Sequence, residues 1–387
     1  MTSIYFNEEH EALRKLVRDF VTNEINPHVD QWEEEGIFPA HELFKKMGDL
    51  GLLGLVYPEQ YGGSGMDFWY QAVFLEEIGR ISCSGVPTAI AVQTDMATPA
   101  LAQHGTAEQK EKFLKPAIAG DAVFSIAVSE PDAGSDVAAI RTRAVSDGND
   151  YIINGSKMWI TSGTQSDYLT LLTRTDDHYG SFKGMSLIIV PTDTPGFSVS
   201  RKLDKLGLRS SDTAILAFED MRVPKANRIG PEGQGFALQM QQFQIERLAA
   251  ALLSITGMEE IMALTVGYCR ERKTFGRPLL GNQWIQFKLA ELQTEIEALR
   301  HLTYYCVSKL VVGQDMTREA SMAKLKAGRL CRAVADTCQQ FHGGMGFVEE
   351  YPIARYVRDS RLTSIGGGAD EIMMGIIAKN EGWLAGV

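Results

Sequence analysis

The chain has 387 residues, 44% of them apolar and 22% charged, with a formal charge of −11 at neutral pH. This length suffices for two or three lobes with cores of their own. The acidic balance leaves no basic surplus for a phosphate backbone, which argues against a nucleic-acid binder but not against a local basic pocket for one phosphorylated ligand.

Five scattered cysteines without a CxxC pair do not form a disulfide framework or a zinc site, and they suit a reducing compartment. No run of 18 uncharged apolar residues occurs, which argues against a membrane span. The first twenty residues have neither signal-peptide nor transit-peptide character. The expectation is a soluble, cytoplasmic protein of bacterial type.

In chain order, three regimes are expected. Residues 1–120 carry helical spacing, with apolar positions at Leu13, Val17, Phe20 and Val21, then at Leu43, Met47, Leu50 and Leu53, and further helical runs near 68–80 and 88–119. Residues 121–234 hold short β-rich runs, among them 151–153, 157–161, 168–173 and 187–190. Asn154-Gly155-Ser156 between the first two predicts a hairpin turn, and the whole predicts a small antiparallel barrel or sandwich. Residues 235–387 return to helix. Ile285, Leu289, Leu292, Ile296 and Leu299 alternate four and three apart, the stripe of a bundle helix, and a second long helix is predicted from Thr317 to Phe341. The fold class expected is mostly α with a central β-barrel.

Five motifs stand out. The small residues of Ala127–Asp136 leave backbone amides open, with Ser129 and Ser135 as hydroxyl donors; the loop suits an anionic or carbonyl oxygen, or is a solvated turn. In Lys157–Gly163, Trp159 offers an aromatic plane beside the Thr161 hydroxyl, suited to a flat heteroaromatic group or to a core. Arg270–Gly276 gathers cations at a helix C-terminus, for a pyrophosphate or for the helix dipole. Gln340–Phe347 follows a long helix with two glycines, as a close-approach site or a C-cap. Gly366-Gly367-Gly368 is costly in chain entropy, so something approaches closely there unless it is a hinge. No Rossmann fingerprint, P-loop or HExxH occurs, and no metal site is expected.

Jointly, SEPDAGSD, KMWITSG, RKTFG, QFHGGMGF-VEEYPIARYVRD and IGGGADEI resemble the acyl-CoA dehydrogenase family over nearly the whole chain. The resemblance implies an N-terminal helical domain, a middle β-barrel, a C-terminal four-helix bundle and FAD as cofactor. Val128, Ser129, Trp159 and Thr161 would line the isoalloxazine ring, with Ser135 on the acyl-CoA side. Arg272, Phe275 and Gln283 would hold the pyrophosphate and adenine half of a neighbouring subunit's FAD. Gln340, Gly343 and Gly344 would complete that shared site, and Ala369 and Glu371 would close around the flavin. A site made from two chains implies a homo-oligomer, commonly a tetramer. The partners implied are an acyl-CoA substrate and electron-transferring flavoprotein.

The chemistry needs a carboxylate that takes an α-proton. Many members of this family carry it in the loop that here reads Gly366-Gly367-Gly368, where Gly367 stands at the matching position. Isovaleryl-CoA and long-chain members carry Glu on a bundle helix, in a sequence similar to Gln244-Ile245-Glu246-Arg247-Leu248. The resemblance therefore makes Glu246 the base, tuned by Arg247, with Gln244, Arg247, Gly367 and Gly368 bordering the substrate. Volume freed at Gly367 would accept a branch on the acyl chain. The run Lys202–Ala214 with SIGGGADEIM resembles citronellyl-CoA dehydrogenases of terpenoid breakdown. The alternatives are an acyl-CoA oxidase or nitroalkane oxidase on the same scaffold, and a catalytically silent acyl-CoA- or flavin-binding partner.

Overall fold

The computed structural model describes residues 4–176 and 182–383; residues 1–3, 177–181 and 384–387, which fall within the three expected regions, lie outside it. The first region is helical: α1 (Glu8–Phe20), α2 (Val29–Glu35), α3 (Ala40–Asp49), α4 (Phe68–Ile78), α5 (Gly85–Ala91), α6 (Pro99–His104), and the short α7 (Ala107–Gln109) and α8 (Lys115–Ile118). Asn7 starts α1 by accepting from the His10 amide while the His10 ring accepts from the Asn7 amide, so two otherwise orphaned donors are satisfied.

The continuous helical run expected over 88–119 is instead broken into short pieces. π-turns at Val92–Ala97 and Lys110–Leu114, Pro99, and an extended Gly105 interrupt it. Helix α4 is buried along its length from Gln71 to Ile78 and carries Glu76 and Glu77 into the interior. Those carboxylates are met by Arg14 (3.1 and 2.9 Å), by Arg18 and Arg80 on Glu77 (2.9 and 3.1 Å), and by Arg300 and Tyr304 on Glu76 (3.1 and 2.7 Å). Burial alone would raise the Glu77 carboxyl; hydrogen bonds from Arg18 and Arg14 bring it below its ordinary range.

The middle region is one sheet of β1 (Phe124–Ala127), β2 (Arg143–Asp147), β3 (Asp150–Thr161), β4 (Tyr168–Arg174), β5 (Met185–Pro191), β6 (Phe197–Lys202), β7 (Thr213–Pro224) and β8 (Arg228–Ile229). Its order is β6-β7-β3-β2-β4-β5-β8, with β1 parallel on β4. This corrects the expected barrel: the sheet stays open. β8 has only two residues to pair, and β6 is a solvent-facing edge with five of its six residues exposed. Between the halves, β2 and β4 meet at a single pair, Arg143 with Arg174.

The hairpin expected at Asn154-Gly155-Ser156 is also corrected. β3 runs straight through these residues, and the chain reverses at Gly148-Asn149 between the paired Asp147 and Asp150. Gly155 marks a bulge instead: its φ is +145°, and a Cβ there would lie 2.6–2.9 Å from Thr142.

The third region contains the long helices α9 (Gly235–Glu271), α10 (Gln283–Val311) and α11 (Thr317–His342), followed by α12 (Pro352–Ser360) and α13 (Asp370–Asn380). α9, α10 and α11 pack pairwise and α13 lies on α11. All five residues of the stripe on α10 are buried. By length and composition α9 is apolar enough to cross a membrane. Here Leu248, Leu252, Ile255 and Met258 are instead buried against α4 and the neighbouring long helices.

Gly155→Ala should lower the stability of the middle domain by about 2 kcal/mol, because it meets both a positive φ and the Thr142 backbone. Urea unfolding checks this, and an unchanged midpoint would contradict the contact.

Candidate active site

Three groups of the expected residues form around α9 and the sheet. The first is at the end of β3. The face alternation that buries Tyr151, Ile153 and Lys157 shifts by one at a bulge between Lys157 and Ile160, so Ile160 turns inward and Trp159 outward. Trp159 sits at φ +67° and is 59% exposed, a strained conformation for a bulky residue. Beside it the Met158 amide donates to the Ser129 carbonyl (2.9 Å), and Ser125 donates to the Thr161 carbonyl (2.7 Å). Val128, Ser129, Trp159 and Thr161 therefore come together. Ser135 lies on the same loop and is exposed.

This loop is fastened by a buried ion pair that the sequence reading passed over. Lys157 Nζ donates to the Val128 carbonyl (2.8 Å) and to Glu130 Oε1 (2.9 Å), while the Arg141 and Thr142 amides donate to the same carboxylate (2.6 and 3.0 Å). Burial pushes the Lys157 ammonium down to about 8 against the pull of Glu130. The only sequence signal was a lysine at an inward strand position. Ser162 Oγ, next along the chain, is buried with no hydrogen-bond partner.

The second group centres on Glu246. Its Oε2 is buried with no partner, and a Cβ placed on Gly367 would lie 3.3 Å from its Oε1. Burial lifts this carboxyl to about 7, while Arg247 and Lys324 pull it down. Arg247 is buried beside it, with Nε unpartnered. The turn opposite takes positive φ at Gly367 and Gly368 (+63° and +97°), and the Gly368 carbonyl accepts from Lys324 Nζ. Ala369 then caps α13, and Glu371 projects exposed from its first turn. Gln244 is half-buried one residue past Phe243, and Phe243 packs on the cluster that contains Val128, which links this group to the first.

The third group stands apart. Tyr268, Arg272, Thr274, Gln340, His342, Gly343 and Gly344 line a groove of about 420 Å³ at the far end of α9. Arg272 follows Glu246 by 26 residues, about 39 Å along a helix axis. Between them and α10, Lys273–Thr274 and Arg277–Pro278 form a two-residue hairpin whose tip, Phe275, is fully exposed at φ +50°. Gln283 opens α10, exposed and outside the groove lining. Gly343 is a C-cap, as its simpler reading had it, and neither Gly343 nor Gly344 has any atom within 4 Å of a built Cβ. Tyr268, stacked 4.4 Å from His342 of the Gln340–Phe347 motif, was missed by the sequence reading of this groove.

An exposed indole held at a strained angle, the buried unpartnered Ser162 hydroxyl and a carboxyl lacking a partner suit a flat heteroaromatic group with a substrate beside it. The residues fit FAD in those terms: Val128, Ser129, Trp159 and Thr161 present the wall, and the separate groove with Arg272 suits a phosphate-bearing tail.

Comparison with known proteins agrees. The acyl-CoA dehydrogenase N-terminal, middle and C-terminal domain models match residues 7–121, 125–221 and 233–382. A probable acyl-CoA dehydrogenase of Bacillus subtilis (strain 168), YngJ, is 37% identical over 372 residues, 96% of this chain and 97% of that protein. The mitochondrial long-chain specific acyl-CoA dehydrogenase of Sus scrofa is 39% identical over 375 residues, 97% of this chain and 86% of its own. The crystal structure of an acyl-CoA dehydrogenase from Geobacillus kaustophilus superposes with a TM-score of 0.95 at 40% identity, covering 98% of this chain and all of that one. The chain belongs to the acyl-CoA dehydrogenase family and is an FAD-dependent oxidoreductase.

Proposed function

We propose that this protein converts an acyl-CoA thioester to its trans-2-enoyl product, with Glu246 as the base that takes the α-proton. The observation that carries this reading is the setting of Glu246. Its carboxyl is buried, its Oε2 has no partner, and it stands against a glycine turn that holds no acid of its own. A carboxyl in such a setting is a stronger base than one in water and is still ionised in quantity near neutral pH. Bound FAD supplies the two-electron acceptor for the β-hydrogen. Ser129 and Thr161 would orient the flavin, Trp159 would cover it, and Gln244 and Arg247 would border the acyl group.

We infer a branched acyl group of medium or long chain as the substrate. Among the described residues, apart from the flanking Gly366 and Gly368, only Glu246 Oε1 lies within 4 Å of a Cβ built on Gly367, which supports room beside the reacting carbons. The long-chain specific relative of Sus scrofa supports the length, and the resemblance to citronellyl-CoA dehydrogenases supports the branch. Electron-transferring flavoprotein is the acceptor proposed. The groove with Arg272, Gln340, Gly343 and Gly344, together with the exposed Phe275 and Gln283 outside its lining, is assigned to the flavin of a neighbouring copy, which its distance from Glu246 along α9 supports; a tetramer is the assembly proposed.

In anaerobic titration with citronellyl-CoA the flavin band of the wild type should bleach, while Glu246→Gln should bind the thioester and bleach about 10²–10⁴-fold more slowly, on the scale of a lost general base. Bleaching at an undiminished rate would remove Glu246 from the mechanism. Steady-state rates should favour citronellyl- and isovaleryl-CoA over straight C8 to C16 thioesters with electron-transferring flavoprotein as acceptor. A preference for straight chains would overturn the substrate, and oxygen uptake in its place would favour the oxidase reading. Light scattering should give an oligomer, and a flavin-loaded monomer would refute the shared site.

A further inference from the structure

The interior holds one cation near Glu246 that comes from neither its own helix nor the glycine turn. Lys324 is in α11, 78 residues further along the chain, and is fully buried. A buried ammonium with no function is rare, because desolvation penalises the charged form strongly. Lys324 has a specific use for it: Nζ donates to the Gly368 carbonyl, in the turn whose neighbouring residue, Gly367, faces Glu246.

The surrounding charges define its role. Glu246 is faced by Arg247 from its own helix and by Lys324 from α11. Lys324 is faced by Asp370 from α13, by Glu246, and by Arg247. Asp370 is held 3.5 Å from Arg329, and its Oδ1 is buried without a partner. Two buried cations therefore act electrostatically on the Glu246 carboxyl without pairing with it, and one of the two is hydrogen-bonded to the turn opposite. Glycine at 366, 367 and 368 gives that turn no side chain to anchor itself, so an external donor has a mechanical use as well as an electrostatic one.

We propose that Lys324 is a positioning residue for the reaction: it latches the Gly366–Gly368 turn to α11 and brings a positive charge toward the Glu246 carboxyl. The two contributions separate by chemistry. The latch needs only a hydrogen-bond donor, whereas the field needs the charge. Burial lowers the Lys324 ammonium to about 8, with Asp370 and Glu246 opposing, so it remains charged at neutral pH. Without it, Arg247 alone would oppose the desolvation of Glu246, and the carboxyl would hold its proton to higher pH.

This rests on Glu246 being the base, and the test keeps the two apart. The FAD-loaded protein is followed with pH in two ways: by the rate of flavin bleaching with citronellyl-CoA, and by the infrared carboxyl band that disappears in Glu246→Gln. In the wild type both should turn over near pH 7, the rate rising as the carboxyl loses its proton. Lys324→Gln, which keeps a donor for Gly368 but no charge, should move both midpoints up by about one pH unit. Lys324→Arg should leave them within about 0.3 unit, since it restores the charge. Lys324→Met should show the same upward shift together with a weaker affinity for the thioester, because the turn is no longer latched. Midpoints in Lys324→Gln equal to those of the wild type would overturn the proposal even if Glu246→Gln is inactive. If Glu246→Gln bleaches at full rate, it is the base assignment that falls.

Discussion

One constraint organises this molecule: a carboxyl must be kept dry, unpartnered and still able to ionise. For Glu246 in its proposed role as base, water at the buried Oε2 would supply the missing partner and weaken it, so burial has to keep water from that oxygen. The 37-residue α9 does much of this, since the helix that carries Glu246 also carries Leu248, Leu252, Ile255 and Met258 into the core. The glycine turn does the rest. A Cβ at Gly367 would come within 3.3 Å of Glu246 Oε1, so the turn's lack of side chains and the carboxyl's location on α9 are two aspects of one arrangement.

Holding such a group requires a rigid frame, and the frame uses buried charge in two other places. Glu76 and Glu77 gather arginines from α1 and α10 around α4, and Glu130 with Lys157 fastens the loop of Val128 and Ser129 to β3. Ion pairs of this kind contribute little net stability over a hydrophobic replacement, but removing one partner alone is expensive. Their value is geometric. The Lys157 contact with the Val128 carbonyl and the Met158 contact with the Ser129 carbonyl fix the loop against the strand that presents Trp159. The backbone strain at Trp159 persists because these contacts hold the residues before it and the Ser125 hydroxyl holds the Thr161 carbonyl after it.

Much of this was legible in the sequence. The three regimes, the stripe from Ile285 to Leu299 and the helix ending at His342 follow from periodicity, which reports the face a helix buries. The pairing of Glu246 with Gly367 came from resemblance, and in the structure a Cβ built on Gly367 falls 3.3 Å from Glu246 Oε1. What was not legible depends on partners distant in sequence. Asn154-Gly155 has the composition of a turn, but Thr142, from the loop leading into the neighbouring β2, takes the space above Gly155 and makes it a bulge. Whether a sheet closes depends on the length and exposure of its edges, here β6 and β8, and no local pattern reports that. Lys157 with Glu130, and Lys324 with Gly368, lie 27 and 44 residues apart. A lone lysine in a helical or strand pattern carries no sign of its burial.

The central claim, that Glu246 takes a proton from the α-carbon, is tested most directly by hydrogen exchange on a thioester that cannot be oxidised. A 3-thia-acyl-CoA has sulfur in place of the β-carbon, so it presents an acidic α-hydrogen and no β-hydrogen to lose. In D2O the wild-type, FAD-loaded protein should wash deuterium into the α-position, as NMR reads it, while Glu246→Gln should bind the same compound and leave its α-hydrogens in place. Equal exchange by both proteins would contradict the account and assign the proton transfer to another group.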